Sequence, residues 1–129
     1  MNEQTSNTEL ARALFNAFES GDESAVREIC HPQLKVRQNK NPEMNLDTLV
    51  QFSMTVKKLV PSLRYENISC TASSEGFVEE HDVCGTLPDG SEFLIRACVV
   101  ATVEDGKVTS LREYLDSAAA QGLLAALSA

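Results

Sequence analysis

The stretch LRYENISCTASSEGFVEEHDVCGTLPDGSEFLIRACVVATVEDGKVTSLREYLD, residues 63–116, decides the fold. Apolar residues tend to alternate with polar ones, β-branched and aromatic side chains are enriched, and turn-forming residues interrupt the run at Ser73 to Gly76, Pro88-Asp89-Gly90 and Glu104-Asp105-Gly106. A period of two broken by such turns predicts four consecutive antiparallel strands.

Upstream of this stretch the period is helical. Ser6 with Glu9 has the spacing of a capping box just before Leu10, Leu14, Phe15 and Phe18, so a first helix is expected over about Thr8 to Ser20, with residues 1–7 frayed. Gly21 suits a helix stop and Asp22 can cap a short second helix, whose apolar face is Ala25, Val26 and Ile29 and which Pro32 cannot continue. Leu34 and Val36 alternate as a short strand, and Asn39, Asn41 and Pro42 form a loop. A third helix is expected from Leu46, with Leu49, Val50, Ser53, Val56 and Val60 on one side and Pro61 as its stop. The tail from Ser117 is rich in helix formers and carries Leu123, Leu124 and Leu127, which can close a pocket or cap the sheet.

Composition narrows the classes of function. A chain of 129 residues, 43% hydrophobic and 23% charged, is expected to fold as one domain, 1–129. Its net charge is -8 and its Lys and Arg are scattered, so the electrostatic footprint of nucleic-acid binding is missing. No apolar run approaches the roughly 18 residues of a membrane span, and the expected location is the cytoplasm. Cys30, Cys70, Cys84 and Cys98 are far apart without a CxxC pair, which predicts reduced structural thiols and no metal site. Phosphate-cradling glycine loops and Ser/His/Asp or Cys/His groupings are absent, so neither a nucleotide cofactor nor nucleophilic acyl chemistry is expected.

Three helices and a short strand followed by a meander place the chain in the α+β class. This order, with FESGDESAVREI at 18–29, VEEHDVCGTLPDG at 78–90 and VEDGKVTSLREYLD at 103–116, resembles the nuclear-transport-factor-like superfamily, and within it the SnoaL-like polyketide cyclases and limonene-epoxide hydrolases. The resemblance covers nearly the whole chain. It implies a cone-shaped curved antiparallel sheet packed with three N-terminal helices around an apolar pocket, with catalytic groups projecting inward from alternate strand positions. No metal or organic cofactor is implied.

Which acids point inward follows from strand period. Glu80, Asp82 and Cys84 share one face of the third strand, and Glu79, His81 and Val83 share the other. On the last strand Leu111, Glu113 and Leu115 form the more apolar set, so Glu113 is assigned inward. The resemblance supports Glu113 and Asp82, since limonene-epoxide hydrolases carry an Arg-x-Asp on the third strand and a WRDYFD-like run on the last; here these stretches read Glu80-His81-Asp82 and Leu111-Arg112-Glu113-Tyr114-Leu115-Asp116. By that resemblance Glu113 would be the base, Asp82 the acid and Asn39 the holder of water. The sequence departs from the pattern at Glu80, in place of an Arg, and at Arg37, in place of a Tyr.

Arg37 could reach the acidic set from the neighbouring strand. Three carboxylates beside one guanidinium repel one another, so at least one is expected to hold a proton near neutrality, as general acid–base chemistry requires. His81 is expected to face away from Asp82, and His31 to meet the carbonyls of a helix end. Phe18, Phe93, Ile95, Leu111 and Leu115 are the expected ligand contacts, although stripes of this kind are first of all core. Leu94, Cys98 and Val100 on the opposite face of the fourth strand need covering, which predicts a homodimer.

The expected function is proton-transfer or water-addition chemistry on a small, mainly apolar ligand. The alternative is a non-catalytic binding or dimerisation module, favoured if Phe and Met fill the cavity or if the acids face solvent. A ketosteroid-isomerase-like enolisation ranks third, because it calls for an inward Tyr and the first helix offers only Phe15 and Phe18.

Overall fold

The computed structural model describes residues 3–129, with side chains from Ser6 onward. Helix α1 spans Glu3–Ser20, so it starts earlier than expected and Ser6 lies inside it rather than capping it. Of the segment read as frayed, residues 1 and 2 lie outside the described residues and the rest is helical. Buried Asn7 donates from its side-chain amide to the Ser73 carbonyl at 2.7 Å, and Ala11, Leu14, Phe15, Ala17 and Phe18 form the buried stripe. These contacts hold α1 against the sheet.

Helix α2 is Glu23–Ile29, its first turn closed by the Asp22 carboxylate accepting from the Ala25 N–H at 3.1 Å. Strand β1, Cys30–Gln38, follows at once and is longer than the sequence predicts. Helix α3 is Leu46–Leu59, capped by Asn45, whose side chain accepts from the Thr48 N–H at 2.9 Å. The meander is β2 (Arg64–Ser73), β3 (Gly76–Thr86), β4 (Glu92–Glu104) and β5 (Lys107–Leu115), and α4, Gln121–Ser128, ends the chain.

The sheet order is β1-β5-β4-β3-β2. β2 to β5 pair antiparallel as the turn pattern predicts, and β1 adds to β5 in parallel, which makes the curved, open sheet mixed. At the β2–β3 turn a Cβ on Gly76 would stand 1.9 Å from the Ala101 carbonyl oxygen, so only glycine lets the hairpin lie on β4.

Two buried clusters form. One joins α1, α2 and the start of α3 to β1, β5 and the near halves of β3 and β4; the other joins the end of α3, Ile95 and α4. Between them the concave face of the sheet stays open.

Candidate functional site

That opening is a cavity of about 810 Å3 walled by α1, α3, α4, the loop after β1 and the concave face of the sheet. Protein interiors are packed to crystal-like density, and ligand pockets fall in the range of about 300–1,000 Å3. Phe15 and Phe18 enter from α1, Phe52 and Val56 from α3, and Leu123 and Leu124 from α4. The tail helix therefore both closes one wall and covers the end of the sheet. A shallower hollow of about 480 Å3 between α2 and α3 lies at the Arg27–Asp47 ion pair and away from these groups.

Glu113 is the inward acid of β5. Gln38, its register partner on β1, donates from Nε2 to Glu113 Oε1 at 2.6 Å. The glutamate is half-buried and opens onto the cavity. Burial pushes its carboxyl above the ordinary carboxylate value, while the Gln38 hydrogen bond and the His81 charge pull in the other direction.

β3 presents the opposite face to the one expected. Phe77, Glu79, His81 and Val83 point inward; Glu80 is exposed and Asp82 sits on the outer face. Asp82 is nonetheless buried there, because the β2 irregularity between Glu66 and Ser69 brings Asn67 over it. Asn67 Nδ2 donates to Asp82 Oδ2 at 2.7 Å and Arg96 lies 3.3 Å from Oδ1. Asp82 is thus a paired structural carboxylate of the outer surface, not a neighbour of Glu113 in the cavity.

Arg37 is also outside, exposed and 3.9 Å from Glu43, since the alternation that turns Gln38 inward turns its predecessor outward. Asn39 lines the cavity rim with φ 50°, but both ends of its amide are taken by the backbone of Leu115: Nδ2 donates to the carbonyl at 3.2 Å, and Oδ1 accepts from the N–H at 3.1 Å. It clamps the end of β5. His31 lies in β1, where Nδ1 accepts from the Gln33 N–H at 3.0 Å, and meets no helix carbonyl among the described residues.

Of the expected ligand contacts, Phe18, Ile95 and Leu115 line the cavity. Leu111 is packed into the first cluster and Phe93 against the second.

Three groups at the site were not expected there. Tyr65 on β2 lines the cavity, and burial first, then the negative charges of Glu113, Glu19 and Glu79, drive its phenol pKa strongly upward, so it stays protonated. Its signal in the sequence was the alternation Leu63, Tyr65 against Arg64, Glu66. Gln38 carried no signal beyond its place two residues after Val36. His81 faces inward, wholly buried, with Nδ1 2.7 Å from Glu79 Oε2. That contact ties the imidazole to the carboxyl two residues before it on the same strand face. The imidazole packs edge-on to Phe15 with centroids 4.8 Å apart, and against Tyr65 at 4.7 Å.

No group of three or more His, Cys, Asp or Glu among the described residues has the geometry to hold a metal ion. No helix among them is long and apolar enough to cross a membrane.

The SnoaL-like domain model matches residues 11–111, most of the chain. Among solved structures, a Bacillus subtilis protein assigned as an isomerase superposes with a TM-score of 0.82 at 14% identity, covering 98% of this chain and 97% of the other. A Jannaschia protein assigned as a SnoaL-like polyketide cyclase gives 0.77 at 19%, over 100% and 96%. An epoxide hydrolase from M. tuberculosis of the limonene-epoxide-hydrolase-like type gives 0.76 at 19%, over 98% and 96%. At such identities the shared property is the fold. No curated protein matches the chain.

Proposed function

The chain belongs to the SnoaL-like domain family, and from that premise we propose that it is an acid–base enzyme of the isomerase or cyclase type, acting on a small, mainly apolar molecule. One observation carries the reading: Glu113 is a carboxyl held in an apolar cavity with its protonation equilibrium moved toward neutrality. A carboxylate in such a place is a stronger base than one in water.

Glu113 would take a proton from carbon or from water. Tyr65, kept neutral in the same cavity, would donate a hydrogen bond to the substrate oxygen on which negative charge develops. The absence of Asp82 and Arg37 from the cavity removes the acid and the cation that epoxide opening was expected to use. A tyrosine facing the cavity instead favours enolisation of a ketone, the reading that the sequence ranked third.

We further infer that the working form is a homodimer joined through the outer face of the sheet. Val78, Leu94 and Tyr114 are exposed there as large apolar groups, and Glu80 and Arg112 on the same face give it charges of both signs that a two-fold axis can match. Four free cysteines fit a reducing compartment such as the cytoplasm.

Deuterium exchange from heavy water into small cyclic and aromatic ketones, followed by NMR, tests the activity. The expected result is exchange that is catalysed by the wild type and lost in Glu113→Gln. Equal exchange in both proteins, or none in either across a ketone and polyketide-like panel, would remove the enzyme reading and leave a binding module.

A further inference from the structure

Glu79 and His81 form a buried ionisable pair inside the sheet that the proposed chemistry does not use. His81 is 0% and Glu79 2% exposed, and the pair is joined at 2.7 Å through Nδ1. His81 Nε2 has no hydrogen-bond partner among the described residues. Burying an ionisable pair carries a desolvation penalty, and replacing such pairs by apolar residues is often neutral or stabilising, so stability alone is a poor reason for one.

The register relates the pair to the site. Glu79 pairs with Val99 on β4, and Val99 pairs with Glu113 on β5, so the two glutamates stand in one row on the concave face with β4 between them. In the next row His81 pairs with Ala97, and Ala97 with Leu115, so only a methyl group stands between the imidazole row and the cavity wall. Phe15 and Tyr65, which touch the imidazole, are themselves cavity walls.

We propose that Glu79 and His81 are a positioning pair for Glu113, whose charge state sets the pH range over which the cavity acid works. The inference rests on the role given to Glu113 above. The titratable groups that interact with the pair are Glu113 from β5 and Tyr65 and Cys70 from β2; from α1, Glu19 acts on Tyr65 and Arg12 on Cys70. Among these His81 is the cation felt by Glu113, and it favours the ionised carboxylate against the burial that opposes it. With the imidazolium lost, Glu113 faces Glu79 across Val99 with no cation between them.

The test is a carbon-13 titration of the Glu113 carboxyl in the full-length wild type and in His81→Phe, which keeps an aromatic ring against Phe15 and Tyr65. His81→Gln, which retains a donor for Glu79 without a titratable ring, covers the case in which the first variant fails to fold. Both variants are expected to titrate Glu113 at higher pH than the wild type does, with the acid limb of ketone exchange moving the same way. An unchanged Glu113 midpoint in a folded variant overturns the inference. A wild-type Glu113 that titrates as an ordinary exposed carboxyl would count against the proposed function instead, and the difference between the two proteins would still decide the role of His81.

Discussion

Gln38 and Glu113 lie 75 residues apart in sequence, yet they are register partners across the parallel β1–β5 pair and their side chains meet at 2.6 Å. The strand that the helical half of the chain contributes to the sheet therefore delivers the donor that holds the cavity acid. Pairing of β1 with the meander is a condition for the site, not only for the fold.

Replacing Gln38 by Leu removes that donor and leaves burial to act on Glu113 with less opposition. The acid limb of ketone exchange is expected to move to higher pH. Below the new midpoint the rate should fall about tenfold per pH unit, as the ionised fraction of the base does. A pH–rate profile of the two proteins checks this.

Glu113 also links stability to pH. Its folded pKa is raised, so the fold prefers the protonated acid; that preference is fully present below the unfolded value and is lost as pH rises through the folded one. Glu113→Gln keeps an acceptor for Gln38 and abolishes the loss. Urea unfolding should find the variant close to wild type in stability near pH 4 and more stable at pH 8, with each pH unit between the two midpoints worth about 1.4 kcal/mol.

Asp82 is expected to matter for stability and not for chemistry. Asp82→Ala strands the Asn67 amide and releases Arg96, at a cost of about 1–3 kcal/mol in denaturant unfolding. Ketone exchange per folded molecule should be unchanged. Loss of exchange without loss of stability would return Asp82 to the mechanism.

Leu94, 53% exposed on the outer face near the start of β4, tests the proposed assembly. The wild type is expected to sediment as a dimer and Leu94→Lys as a folded monomer, because a buried ammonium without a partner is not tolerated at an apolar interface. A monomeric wild type would contradict the assembly.

The helix cap at Asp22, the start of α3 at Leu46, the three turns and the order of elements were legible because they depend on local chemistry. The inward face of β5 was legible as well, since Leu111 and Leu115 flank Glu113 with apolar neighbours. The face of β3 was not, because Glu79 and His81 on one side are as polar as Glu80 and Asp82 on the other. Alternation cannot choose between two charged sets. The flanking residues held the answer: Phe77 and Val83 continue the inward row. The burial of Asp82 had no local signal at all, for it depends on Asn67 turning at φ 53° on a neighbouring strand. Gln38 stayed hidden for a similar reason, because the parallel pairing that faces it toward Glu113 joins distant segments.

The carbon-13 titration of the Glu113 side-chain carboxyl in the wild type tests the central claim most directly. The account predicts a midpoint clearly above the ordinary glutamate value of about 4.3, moving further when an apolar ligand fills the cavity. A midpoint at the ordinary value, indifferent to ligand, would mean that the cavity holds a solvated carboxylate and no base prepared for proton transfer.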